Sequence, residues 1–247
     1  MAGYVSENLQ SIPSIAHSFR TAGKTDLPQD LFYCAQQHGA DVVKVDTDQQ
    51  TGTIAADAIF TRTTRPIAVV TADCLPILVG SSRDEFVAVI HGGWKGLVAG
   101  IIENAFNAFR QSGIALEYLH VGIGPAIQPC CYEVSQSLIS HIEQVHGHLW
   151  RGRQPPWAVT QLATSESSCF ARATATHGHA WLDLPLYCTY LLELVGLESE
   201  QINVIDKCTY CSGEELGSYR RRIHFNEPKI FQYSWIQLIA SGKPYIY

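Results

Sequence analysis

Pro66-Ile67-Ala68-Val69-Val70-Thr71-Ala72-Asp73-Cys74-Leu75-Pro76-Ile77-Leu78-Val79 is the stretch on which the fold class turns. Its first six residues are almost wholly apolar and rich in β-branched side chains. That is the pattern of a strand buried on both faces. Leu75 to Val79 reads as a continuation of that strand, broken by Pro76, and Glu85 to Ile90 as a further strand. Downstream the period changes. Leu97, Ile101, Ile102, Ala105, Phe106 and Phe109 fall on one helical stripe, which predicts a helix over 97–111 with Gly113 at its stop. Asp41 to Asp46 and Leu119 to Ile123 read as short strands, and Ser135 to Val145 as a helix. Asp183 stands where it would cap a helix over 184–195, with Pro185 in the first turn and Gly196 just past the end. Ile202 to Ile205 and Phe231 to Leu238 close the chain as strands. Residues 146–180, with His146, His148, His177 and His179, read as a long loop or insertion. No repeat or composition break marks a boundary, so a single mixed α/β domain over 1–247 is expected.

Composition narrows the function. The chain has 247 residues, 46% of them apolar, and a net charge of −6 from 17 basic and 23 acidic side chains. A dedicated nucleic-acid binder is more basic than this. No apolar run reaches the length of a membrane span, and the first twenty residues lack the pattern of a signal peptide. A cytoplasmic protein is expected, with its eight cysteines mostly reduced and buried.

Three segments combine reactive groups with small residues at turns or strand ends: Gln36-Gln37-His38-Gly39, Thr71-Ala72-Asp73-Cys74-Leu75-Pro76 and His91-Gly92-Gly93-Trp94-Lys95-Gly96. Two imidazoles and one thiolate make a three-ligand metal set that leaves a position for water or substrate. Taken one by one, each residue is equally an ordinary core or surface group. A second signal, Cys208-Thr209-Tyr210-Cys211, is one C-x-x-C pair lacking an obvious partner pair; with Cys34 and a histidine it would make a separate structural zinc site.

In this order, the three segments resemble the laccase-domain protein family, whose pattern is Gln-x-His-Gly, Thr-Ala-Asp-Cys-x-Pro and His-Ala-Gly-Trp-Arg-Gly. Gly124-Pro125, Pro129-Cys130-Cys131-Tyr132-Glu133-Val134 and Ser218-Tyr219-Arg220-Arg221 are similar to later family segments. Bacterial members are variously called polyphenol oxidases, zinc purine nucleoside phosphorylases and peptidoglycan editing factors. The resemblance implies a four-layer α-β-β-α sandwich with helices outside two packed sheets. It also implies zinc on His38, Cys74 and His91, with phosphorolysis of adenosine, inosine and methylthioadenosine and deamination of adenosine. Inorganic phosphate would then be co-substrate, and its candidate cations are Arg20, Lys95, Arg220 and Arg221.

Gln37, Trp94 and Tyr219 are further candidates for substrate contact. Asp73 reads either as a carboxylate that orients a histidine or as a general acid/base. Lys95 stands where the family has Arg, which keeps the charge but loses the planar fork. Two other chemistries compete. One is a copper polyphenol oxidase drawing on the His-Gly-His triplets. The other is a metal-free hydrolase with Cys74 as nucleophile and His91 as base.

Overall fold

The structure is a computed structural model that describes residues 3–22, 27–46, 48–160 and 179–240. In chain order the first elements are α1 (Glu7–Gln10), β1 (Ile15–Phe19), β2 (Val42–Lys44), β3 (Ala58–Thr61), β4 (Ile67–Thr71), β5 (Leu75–Ser81) and β6 (Val87–Gly92). The middle of the chain forms α2 (Trp94–Val98), α3 (Ile101–Gln111), β7 (Leu119–Ile123), β8 (Glu133–Ser135), α4 (Gln136–His146) and β9 (Trp157–Ala158). The last are β10 (His179–Leu182), α5 (Leu184–Leu194), β11 (Ile202–Val204), α6 (Tyr219–Phe225) and β12 (Gln232–Leu238). No helix among the described residues is long and apolar enough to cross a membrane.

A six-stranded sheet in the order β11-β7-β5-β6-β3-β2 forms the centre, with parallel pairing only at its two outer pairs. Side chains alternate across it, as the pleat requires. Leu75, Ile77 and Val79 face α3 and α5, where Phe106, Phe109, Tyr187 and Leu191 pack. Leu78, Val87 and Val89 face the other way, onto a three-stranded sheet in the order β1-β12-β4. There they meet Ile15, Phe19, Ile67, Val69 and Ile236. The outer face of this small sheet, through Ala16, Ala68 and Trp235, is packed by Leu27, Leu31 and Tyr33. The layers are thus helices, sheet and sheet, and the described cover on the far side is a loop rather than a helix. A third sheet, β8-β10-β9, sits at the edge of the helical core.

Two expectations change on folding. Leu75 to Val79 does not continue the preceding strand. β4 belongs to the small sheet and β5 to the large one, and the chain crosses between them at Ala72-Asp73-Cys74. Asp73 takes a left-handed φ of 90° to make the turn. Pro76 is no interruption either. It lies opposite His91 in β5, and only its carbonyl is used, accepting from Gly124 N at 2.9 Å.

The single helix expected over 97–111 is two. Gly100, at φ 88°, breaks it into α2 and α3, because only glycine takes that conformation without steric cost. The starts of α4 and α5 fall where expected. Ser135 accepts from Leu138 N at 3.3 Å and Asp183 from Leu186 N at 2.9 Å. Within the expected 146–180 loop, β9 and the start of β10 are regular, while His177 and Cys169 lie outside the described residues.

Candidate metal centre

His38, Cys74 and His91 come from three different elements, and the fold brings them together. Their ligand atoms lie within 4.8 Å of one another. The two imidazoles meet edge to face with ring centroids 4.7 Å apart. His91 is the penultimate residue of β6, Cys74 closes the crossover just before β5, and His38 sits at φ 57° on the loop before β2. Burial rises from His38, which is exposed, through Cys74 to His91. Gly93 completes the cradle: a Cβ there would stand 3.0 Å from His38 Cδ2 and 3.2 Å from Cys74 Sγ.

Asp57 organises this set and was not singled out in the sequence. It is almost fully buried just before β3. Its Oδ1 is 2.7 Å from His91 Nδ1. The same carboxylate accepts from the backbone N–H groups of Gln37, His38 and Gly39 at 3.0, 3.0 and 2.8 Å. Burial opposes ionisation of Asp57, but the hydrogen bonds from His91, Gly39 and Gln37 outweigh it and hold the carboxyl below its ordinary range. An ionised Asp57 sets His91 with Nδ1 as donor and Nε2 as the available ligand atom. Burial, with the nearby His91, lowers the pKa of His38 and favours the neutral, ligating imidazole. Burial, aided by Asp73 and Asp57, pushes the Cys74 thiol up to about 12. Without a cation beside it, Cys74 is therefore a protonated and weak nucleophile.

Asp73 does not orient a histidine. The left-handed turn at the sheet crossover aims its carboxylate the other way, where it accepts from Thr209 Oγ1 at 2.6 Å and Arg220 N at 2.7 Å. Burial outweighs these bonds and raises its pKa. The orienting part foreseen for Asp73 belongs to Asp57.

The three ligands open onto a cavity of about 680 Å³, a size that suits a small organic ligand. Gln37, Trp94, Lys95, Tyr219 and Arg220 line it. Arg20 and Arg221 do not. Arg221 is buried, and its guanidinium donates to Glu227 and to the carbonyls of Thr209, Tyr210 and Leu216. Its place on the inner side of α6 follows from the helical period, which sends neighbouring residues to different faces. Arg222 and Lys229, passed over in the sequence, line the cavity instead, with Phe231 and Tyr132. Arg220 is partly committed, since both terminal nitrogens donate to Glu133 O at 3.0 Å.

Of the triplet histidines, His146 and His148 pack with ring centroids 6.4 Å apart, but none belongs to a group of three or more metal-ligating side chains among the described residues. His146 is buried with Nδ1 2.6 Å from the Tyr187 hydroxyl, and His179 is exposed beside Glu133.

Fold and site together define a mixed α/β protein with a His₂Cys set, ordered by one aspartate, on the wall of a ligand-sized cavity. The chain belongs to the laccase-domain family: residues 11–227 match the family described as multi-copper polyphenol oxidoreductase laccase. Among curated relatives, purine nucleoside phosphorylase YfiH of Shigella flexneri is 32% identical over 197 residues, covering 79% of this chain and 70% of the relative. Purine nucleoside phosphorylase YlmD of Geobacillus stearothermophilus is 30% identical over 198 residues, or 76% of this chain and 66% of the relative. The crystal structure of the Geobacillus YlmD superposes with a TM-score of 0.69 at 26% identity, covering 85% of this chain and 74% of that one. The hypothetical protein YfiH of Bacillus licheniformis shares the fold, with a TM-score of 0.71 at 24% identity over 85% of this chain and 74% of that one.

Proposed function

We propose that the chain is a zinc-dependent purine nucleoside phosphorylase that also deaminates adenosine, acting as one catalytic domain in the cytoplasm. The observation that carries this reading is the convergence of His38, Cys74 and His91 around Asp57 at the cavity. The printed names of the relatives support it. His38, Cys74 and His91, whose ligand atoms lie within 4.8 Å of one another, would hold the zinc ion, and it would supply Lewis acidity to water or substrate.

The rest is work for the chain's own groups. Asp57 keeps His91 in the ligating tautomer. Trp94, Tyr219 and Phe231 give the cavity aromatic walls suited to a purine ring, with Lys95, Arg222 and Lys229 each over one of these rings, and Gln37 adds a polar group. Lys95, Arg222 and Lys229 concentrate positive charge in a chain of net charge −6, as a phosphate co-substrate requires. Phosphate then attacks C1′ of the ribose as the purine leaves, yielding ribose 1-phosphate and free base. In deamination, water adds at C6 of adenosine and ammonia leaves.

The test uses purified full-length protein with adenosine, inosine or methylthioadenosine, with and without phosphate. Phosphate-dependent release of base and ribose 1-phosphate, with inosine and ammonia from adenosine, is expected. A Cys74→Ala chain that keeps full activity and full zinc content overturns the reading. Metal analysis of the active protein separates zinc from copper.

A further inference from the structure

A second group of soft ligands lies outside the His38, Cys74 and His91 set. The C-x-x-C pair Cys208 and Cys211 meets the adjacent pair Cys130 and Cys131, and the four sulfurs lie within 4.8 Å of one another. Cys130 Sγ is 3.3 Å from Cys131 Sγ and 3.7 Å from Cys211 Sγ, and Cys131 Sγ is 3.4 Å from Cys211 Sγ. A tetrahedral zinc ion with bonds of about 2.3 Å sets its sulfurs about 3.8 Å apart. These three spacings need changes of only a few tenths of an ångström to match, and no pair of the four sulfurs is more than 4.8 Å apart.

The surroundings suit a closed site. Cys130, Cys131 and Cys208 are each 3% exposed, and Ile127 and Tyr210 pack around them. Hydrogen bonds from Cys130 and Cys131 overcome burial and hold the Cys208 thiol well below its usual range. A buried tetrathiolate carries net negative charge and needs a nearby cation. Arg221, itself ion-paired with Glu227 at 2.8 Å, stands beside the cluster and donates to the carbonyls of Thr209 and Tyr210 between the two cysteines of the C-x-x-C pair. Cys130, Cys131 and Cys208 carry thiols, while Cys211 is half of a disulfide.

We propose that, once Cys211 is reduced, Cys130, Cys131, Cys208 and Cys211 bind a second zinc ion in a closed, structural tetrathiolate site. A dithiol reductant delivers two electrons and two protons to the disulfide of Cys211, leaves two thiols and becomes a disulfide itself. Zinc then replaces the protons of the four thiols. The ion braces segment 126–131 against segment 208–211. These two segments hold Asp73 in place, through Ile127 N to Asp73 O at 2.9 Å and Thr209 Oγ1 to Asp73 Oδ1 at 2.6 Å. Asp73 immediately precedes Cys74, so the second ion steadies the turn that presents the first site's thiolate.

Zinc is counted on the full chain purified in a phosphine reductant with zinc supplied. Two ions per chain are expected, falling to one in Cys74→Ala and to one in Cys211→Ser. Cobalt loaded into the Cys74→Ala chain is expected to give intense tetrahedral d–d absorption with thiolate-to-cobalt charge transfer. Oxidising that same chain is expected to release its one ion and reduction to restore uptake, an arm that needs no change in the cluster. The proposal is overturned if Cys211→Ser holds as much zinc as wild type, if cobalt in Cys74→Ala shows no thiolate band, or if oxidation leaves its zinc in place. Failure of the first site has a different signature, an unchanged zinc content in Cys74→Ala.

Discussion

The His₂Cys set and the four-cysteine set differ in nearly every physical respect. In the first, three ligands come from three elements, and burial grades from an exposed His38 to a buried His91. A cavity of about 680 Å³ gives access to them. In the second, four sulfurs close on themselves, walled by Ile127 and Tyr210. The first is ordered by a carboxylate, Asp57, that bonds a ligand and the loop of another. The second is ordered through the backbone, by an Arg221–Glu227 ion pair whose guanidinium holds the carbonyls between two of its ligands. Three ligands with an open position suit chemistry, and four with none suit stability. The difference teaches that donor identity matters less than what surrounds the donors.

The sharpest break between the two sites is their response to pH. At the first site only Cys74, held up to about 12, must lose a proton above neutral pH. Zinc affinity there should rise about tenfold per pH unit between about 7 and 9. At the second, four cysteines must give up more than one proton together, so affinity should climb more steeply with pH than at the first. Chelator competition across that range measures both slopes, and equal slopes would erase the distinction.

Next in size is the catalytic contrast. His91→Ala should lower kcat/KM by roughly a thousandfold, the worth of several kcal/mol of Lewis-acid stabilisation. Cys211→Ser should stay within about threefold of wild type in steady-state assays. A comparable loss in both variants would merge the sites into one functional unit.

Asp57→Asn probes the orienting carboxylate. Zinc at the first site should bind about 10–100-fold more weakly, with the cobalt–thiolate spectrum of the second unchanged. Retention of wild-type affinity in equilibrium dialysis would reduce Asp57 to a structural cap.

The smallest effects separate the adjacent arginines. Arg222→Ala should raise KM for phosphate about tenfold, as the loss of one charged hydrogen bond does. Arg221→Ala should leave that KM unchanged and lower the unfolding free energy by roughly 3 kcal/mol, because buried carbonyls lose their donors. Thermal unfolding alongside phosphate kinetics decides between them.

Period, caps and turn residues made most elements legible. Apolar runs marked β4 and β6, a helical stripe marked α3, and Ser135 and Asp183 announced α4 and α5. The limits are equally specific. Nothing local distinguishes a strand that continues past Thr71 from one that leaves for another sheet, since both are apolar runs. Gly100 looks tolerable inside a helix until its left-handed backbone is seen. Asp57 is a lone acid before an apolar run, and its partners lie 18 to 34 positions away. Arg220, Arg221 and Arg222 read as one basic cluster, yet the helical turn sends Arg221 inward and leaves Arg222 at the cavity.

By itself the sequence determined the mixed α/β class, the family, and the residue types for a His₂Cys set, because these rest on local periodicity and short motifs. The tertiary structure alone decided which sheet each half of the 66–79 stretch joins, which carboxylate serves His91, and that the lone C-x-x-C pair finds its partner in Cys130 and Cys131. Those are contacts between distant segments. Long-range packing of the two sheets sets them, and no local pattern encodes where two remote strand ends will meet.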